Sequence, residues 1–181
     1  MKLIDIISAR QSVRKYSDKP VDREKIIRCL EAARLAPSAC NSQPWKFIVV
    51  DEPGLKSKVA KETYGPLIRF NKFAAEAPVM IVVVIEKPKL ITQIGETLKN
   101  KEYPLIDLGI ACEHFCLQAQ EDGLGTCMLG WFNEKPLKKL LNIPEKRTIG
   151  LVISLGYAPD GYKQRMKIRK TMEEMSGFNG Y

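Results

Sequence analysis

The chain has 181 residues, 45% of them hydrophobic and 28% charged, the balance of an ordinary folded protein and not of a disordered, collagenous or fibrous one. That length suits a single domain over residues 1–181, which on surface scaling buries about 70% of the open chain's area and needs no disulfide staple. Lysine and arginine outnumber aspartate and glutamate by 29 to 21, a net charge of +8 compatible with nucleic acid, membrane headgroups or small phosphorylated ligands.

Leu3 to Ala9 reads as a short helix, and Asp22 is placed to cap a second whose Ile26, Ile27, Leu30 and Ala33 form an apolar stripe ending before Pro37. Lys46 to Asp51 predicts a strand, and Pro53 suits the first turn of a helix running to about Glu62. Ala77 to Ile85 is an unbroken apolar run closed off by Glu76 and Glu86. It falls short of the ~20 residues that cross a bilayer, and its β-branched, non-alternating composition predicts a central strand covered on both faces. Leu105, Leu108, Ala111, Cys112, Phe115 and Ala119 belong to a long helix, apolar nearly all round, that Gly123 and Gly125 end. Such a helix is expected to be buried, against its own chain or another subunit. Thr126 to Trp131 predicts a strand, Lys135 to Leu141 a short helix and Thr148 to Tyr157 the last strand. Alternating strands and helices predict an α/β three-layer sandwich.

Several chemistries are poorly supplied. Residues 1–10 include Asp5 and Arg10 and hold no apolar core, so no signal peptide is read and a cytoplasmic location is expected. The basic run Lys163, Arg165, Lys167, Arg169 and Lys170 lacks aromatic interleaving and any helix-turn-helix or zinc-finger companion, so no nucleic-acid partner is expected. None of the five cysteines forms a C-x-x-C pair; Cys112 and Cys116 share a helical face but have too few companions for a metal, and all five read as buried reduced thiols. Gly123 and Gly125 open a dinucleotide-like fingerprint that Met128 breaks, and Trp131 stands where a P-loop needs lysine. His114, the one histidine, sits mid-helix without a recognisable acidic or nucleophilic partner. Acid–base catalysis by side chains is therefore thinly provided, and a cofactor would supply the chemistry.

Two stretches remain. Arg10, Ser12 and Arg14 recur at every second residue, so in extended chain two guanidinium groups and a hydroxyl point one way, an anion cradle suited to a phosphate monoester. A solvated basic turn is the alternative. From Ala36 to Phe47, small residues and amides allow close backbone approach, and Ser38, Asn41 and Gln43 offer donors and acceptors that suit a flat heteroaromatic ring. The alternative is an elaborate turn with Trp45 packed in the core.

Arg10-x-Ser12-x-Arg14, Pro37-Ser38 followed by Asn41-Ser42-Gln43-Pro44-Trp45-x-Phe47, and Lys167-x-Arg169 together resemble the nitroreductase family of FMN-dependent oxidoreductases, in order and separation over nearly the whole chain. The resemblance implies a mixed central sheet flanked by helices, an α+β three-layer fold. It also implies a homodimer with two FMN sites at the subunit interface. NADH or NADPH would reduce the flavin, which would pass hydride from N5 to an electron-poor acceptor such as a nitroaromatic or quinone. By similarity Arg10, Gln11, Ser12, Arg14, Lys167 and Arg169 hold the phosphate and ribityl chain. Pro37, Ser38, Ala39, Asn41 and Gln43 would come from the partner subunit, and Asn71 resembles a ring-contacting asparagine. Leu129 and Gly130 stand where many members carry a Glu-Gly pair beside the flavin, so backbone contacts are implied without the acidic neighbour. No side chain is expected to act as nucleophile, and residues 87–103 are read as a helix and loop over the site. A flavin-binding or storage protein without turnover is the alternative function.

Overall fold

The computed structural model describes residues 2–66, 69–88, 92 and 101–181. The apolar run contains strand β2 (Val79–Ile85), in which Val79 to Val84 are at most 2% exposed. It is flanked by β1 (Trp45–Val50) on one edge and β4 (Thr148–Gly156) on the other, and β4 in turn pairs with β3 (Gly125–Leu129), giving the order β1-β2-β4-β3. Two helical layers explain why β2 needs no polar face. On one side α2 (Arg23–Arg34) and α4 (Tyr103–Glu121) pack Ile26, Cys29, Ala111 and Phe115 against Ile81 and Val83. On the other, α3 (Pro53–Lys61), a 3-10 turn (Lys72–Glu76) and α5 (Glu134–Leu140) bring Val59, Ala60, Ala74 and Leu137 onto Met80, Val82 and Val84. Burial of each of the larger side chains among these, the valines, leucine, isoleucines, methionine and phenylalanine, contributes about 1.5–3 kcal/mol.

All the paired strands of this sheet run antiparallel. The expected mixture of directions is reduced, among the described residues, to one isolated parallel bridge between Ser12 and Thr126. The connections explain this: those from β1 to β2 and from β3 to β4 each return the chain to the end of the sheet it left. Predicted element ends lie within one or two residues of those observed, and Gly123, at φ 76°, takes the left-handed position that stops α4. Within the single chain, helix α4 leaves Leu105 and Ile106 46% and 55% exposed. Among the described residues no helix is long and apolar enough to cross a membrane.

Two terminal segments complete the architecture. After α1 (Leu3–Ala9) the chain runs along β3, where the Val13 N–H donates to the Thr126 carbonyl at 2.8 Å. A side chain at Gly125 would collide with Val13, its Cβ falling 2.5 Å from Cγ2, so glycine permits this close approach. Buried Tyr16 pins the same segment, its hydroxyl 3.1 Å from the Val13 carbonyl and 2.8 Å from Ser154 Oγ. Burial pushes that phenol far above its ordinary range. Beyond β4 the chain returns to the N-terminal segment and ends past α6 (Met172–Met175), a turn with a Thr171–Glu174 capping box that the periodicity did not suggest.

Candidate cofactor site

The bridge of Ser12 to Thr126 turns Val13 into the core, while Arg10, Gln11 and Ser12 before it all stay accessible, so the expected alternation does not select the cradle residues. The C-terminal segment is laced to it by side chains. Gln11 Oε1 accepts from the Arg165 N–H at 3.0 Å, Gln164 Nε2 donates to the Ser8 carbonyl at 2.6 Å, and Lys167 Nζ donates to the Ile7 carbonyl at 2.7 Å. The Arg165 guanidinium donates to the Ser12 carbonyl. Between the two segments lies a cavity of about 210 Å³ lined by Arg10, Gln11, Ser12, Arg165, Met166, Lys167 and Arg169. Glu113 of α4 pairs with Arg10 Nε at 3.2 Å. That carboxylate does not balance the cations: desolvation, with Arg10 and Arg169 nearby, holds the Lys167 amine below its usual range.

Arg14 is placed differently from the expectation. Its backbone N–H donates to the Tyr162 hydroxyl at 3.0 Å, and it does not line the cavity. Arg165 lines it instead. The signal was present in the sequence, since Arg165, Lys167 and Arg169 repeat the same every-second-residue spacing as Arg10, Ser12 and Arg14.

Residues 37–43 form a tightly bonded turn that does not line the basic cavity of its own chain. Ser38 Oγ accepts from the Gln43 N–H at 2.9 Å, and Gln43 Nε2 donates to Asn41 Oδ1 at 2.8 Å. Cys40, Asn41 and Gln43 have φ of 52°, 49° and 47°. Asparagine enters this left-handed region readily, whereas for cysteine and glutamine it costs roughly 1–2 kcal/mol each. Buried Asp107 of α4 anchors the turn, both carboxylate oxygens accepting from the Ala39 N–H at 3.1 and 3.2 Å. Burial pushes the Asp107 carboxyl above its ordinary range, with the Ala39 bond opposing. No sequence signal singled out Asp107, because the residue it serves lies far away in the chain. Trp45 does pack against the α2–α4 core, so that half of the plainer reading also holds.

Asn71 is buried, and its Nδ2 donates to the Thr63 carbonyl at 3.1 Å and the Trp131 carbonyl at 3.4 Å. Leu129 is buried at the end of β3, and Gly130 beyond it is exposed, with open space where a side chain would stand. From the Thr126 bridge to Gly130 is about 13 Å at ~3.3 Å per residue. The Asn71 corner thus lies roughly one strand's length from the basic cradle.

The thiols need one correction. Cys29, Cys112, Cys116 and Cys127 are buried, but Cys40, in the left-handed turn, is exposed. Desolvation pushes the thiols of Cys29, Cys112 and Cys116 up to about 12, which disfavours thiolate chemistry. Among the described residues no group of three or more His, Cys, Asp and Glu could hold a metal. His114 packs toward α2, with Nδ1 3.3 Å from the Ala32 carbonyl. Of the span 87–103, residues 89–91 and 93–100 lie outside the described residues.

The chain is thus a three-layer α+β sandwich with a basic cavity between its N-terminal and C-terminal segments and an amide-rich turn outside that cavity. The nitroreductase family model matches residues 7–157, and the chain belongs to that family. Lys167 and Arg169 lie beyond the matched span. An Archaeoglobus fulgidus protein provisionally named NADH dehydrogenase/NAD(P)H nitroreductase is 36% identical over 166 residues, covering 87% of this chain and 86% of its own. The solved structure of a nitroreductase family protein from Clostridium novyi NT superposes with a TM-score of 0.77 at 32% identity, covering 91% of this chain and 89% of that one. An FMN-dependent nitroreductase from Clostridium difficile R20291 superposes at 0.78 with 28% identity, covering 98% and 99%.

Proposed function

We propose that this chain is an NAD(P)H-dependent FMN oxidoreductase that takes hydride from NADH or NADPH and passes it, in a ping-pong cycle, to an electron-poor acceptor such as a nitroaromatic or quinone. The observation that carries the reading is the crowding of Arg10, Lys167 and Arg169 around one small cavity, an excess of positive charge that a phosphate group relieves. Family membership and the FMN-dependent relative support it. Bound FMN would supply N5, a hydride acceptor and donor that no side chain here offers.

The chain's own residues then have positional work. Arg10 and Arg169 can meet phosphate oxygens as forks, Lys167 as a point charge, and Ser12 as a hydroxyl donor. Gln11 holds the two segments in register through Arg165 and Lys163. Arg14 stays in the proposed set on the resemblance alone. Asn71 gives both amide protons to protein carbonyls, so the atom it can offer a ring N–H is its acceptor Oδ1. The open space at Gly130 lets a flat ring approach backbone.

A homodimer belongs to the same proposal. Pro37, Ser38, Ala39, Asn41 and Gln43 would reach the site from the partner, and Leu3, Ile4, Met166 and Ile168, exposed by 65%, 62%, 86% and 81%, offer apolar surface beside the cradle. The unit proposed is one FMN-binding domain over residues 1–181, acting in the cytoplasm. Purified protein should show the visible bands of bound flavin, lose them on anaerobic addition of NADH or NADPH, and regain them on adding a nitroaromatic or quinone. Flavin bands that neither donor bleaches would mean a carrier without turnover; a colourless protein that also fails to bind added FMN would end the flavin reading.

A further inference from the structure

A second cleft opens beside Lys72, the residue after Asn71. The Asn71 amide ties the carbonyls of Thr63 and Trp131 together, and residues one or two positions from these three in sequence line an open cleft of about 540 Å³. Its lining includes Lys61, Glu62, Tyr64, Arg69, Lys72 and Asn133. Asn133 closes the floor: its N–H donates to the Glu62 carbonyl at 2.8 Å, and its Nδ2 to Glu62 Oε2 at 3.0 Å. Among the described lining residues Lys61, Arg69 and Lys72 contribute three positive charges against the single carboxylate of Glu62, which the neutral Asn133 amide holds in place, an excess of two. Arg69 Nε donates to the Pro66 carbonyl at 3.3 Å, which uses only one of the five guanidinium protons.

We propose that Lys61, Arg69 and Lys72 form an anion subsite for the diphosphate bridge of the nicotinamide donor. The inference rests on the function proposed above, which sets the reacting ring beside Asn71 and Gly130. Three converging cations exceed what a neutral nitroaromatic or quinone can use, whereas NADH and NADPH both carry a diphosphate a short distance from the nicotinamide. The cleft is more than twice the volume of the phosphate cradle, room for a diphosphate and part of its sugars. Lys72 adjoins Asn71 in sequence, so a dinucleotide with its phosphates here keeps its ring end at the Asn71 corner.

The test uses FMN-loaded protein and a Lys61→Gln/Arg69→Gln/Lys72→Gln variant, all three positions being exposed and outside the FMN cradle. Anaerobic stopped-flow bleaching is measured with NADH, with NADPH and with 1-benzyl-1,4-dihydronicotinamide, a hydride donor without phosphate. The half-saturating NADH and NADPH concentrations should rise about tenfold or more, with the limiting rate unchanged and the benzyl donor unaffected. Calorimetric titration with ADP should show binding to the loaded wild type and a matching loss in the variant. Rising salt should weaken NADH binding to wild type more steeply than to the variant. Equal half-saturation in wild type and variant, or an equal loss with the benzyl donor, would overturn the subsite while leaving the flavin reading standing. Wild-type protein that holds FMN and is bleached by none of the three donors would overturn both. Should the triple variant not fold, the single Lys72→Gln and Arg69→Lys variants carry the same comparison with about threefold effects expected.

Discussion

Removing the guanidinium of Arg10 or Arg169 should weaken FMN binding far more than it slows hydride transfer at saturation. Both line the cradle and lie away from the Asn71 corner, and a charge-assisted bond is worth about 1.5–3 kcal/mol, on the order of 10- to 100-fold in affinity. Arg14→Ala should have a smaller effect, because that side chain does not line the cavity. Titration of the three apo-variants with FMN checks the order, and equal losses would return Arg14 to the cradle. Cys40→Ser should bind FMN, accept hydride and reduce acceptors as wild type does, since flavin carries both electrons and the other thiols are buried. A Cys40→Ser enzyme that is bleached by donor but reduces no acceptor would contradict this. At this scale Arg10 and Ser12 were legible as members of one basic cluster, although Gln11 between them lines the cavity too and Arg14 does not, so period two alone does not select the lining. Whether Arg14 or Arg165 completed the cradle was not, since residues more than 150 positions apart meet only through tertiary packing.

Among the elements, the turn at residues 38–43 depends on α4 through Asp107, and this dependence has a pH signature. Burial raises the folded-state pKa of Asp107 above its unfolded value near 4. Between those two values the native state holds more protons than the unfolded chain, so this residue's contribution to stability falls as pH rises through that window and is level above it. Asp107→Asn keeps an acceptor for the Ala39 N–H and removes the charge. The stability difference should therefore move in favour of the variant as pH rises from about 3 to above the folded pKa, measured by urea unfolding at each pH. A difference independent of pH would mean that Asp107 titrates as it does in the unfolded chain. Asp107→Leu should instead release the turn and, if the proposed site is shared between subunits, weaken FMN binding, with near-normal binding restored in Asp107→Asn. The strands and helices themselves were legible, because β2 carries its burial in consecutive residues and α2 buries Ile26, Cys29 and Ala33 at helical spacing, although Ile27, expected in that stripe, is 54% exposed. What covers the rest of α4 was not, for the sheet of its own chain leaves Leu105 and Ile106 partly exposed.

For the whole molecule, the decisive expectation is that the site is shared. An Arg10→Glu homodimer and a Gln43→Ala homodimer would each have both sites damaged, in different halves. A mixed dimer would place both lesions in one site and leave the other intact. With random exchange about half the dimers are mixed, so about a quarter of all sites should recover. Co-refolding the variants at equal concentration, confirming mixed dimers by mass, and measuring FMN retention and NADPH oxidation against each parent reads this directly. Activity at the parental average would mean that one chain supplies both residues.

The sequence by itself determined the layers, the order of elements and the family, because hydrophobic periodicity, capping and an unusual pentapeptide are local and survive being read in one dimension. Tertiary structure alone decided that all the paired strands of the sheet run antiparallel, that the C-terminal basic residues fold back onto residues 7–12, that Asp107 anchors the amide-rich turn, and that Lys61, Arg69 and Lys72 surround a common cleft. The physical reason is the same in each case. Charged and polar side chains gain their roles from the groups that face them, and those groups are brought opposite by burial of the core and not by proximity along the chain.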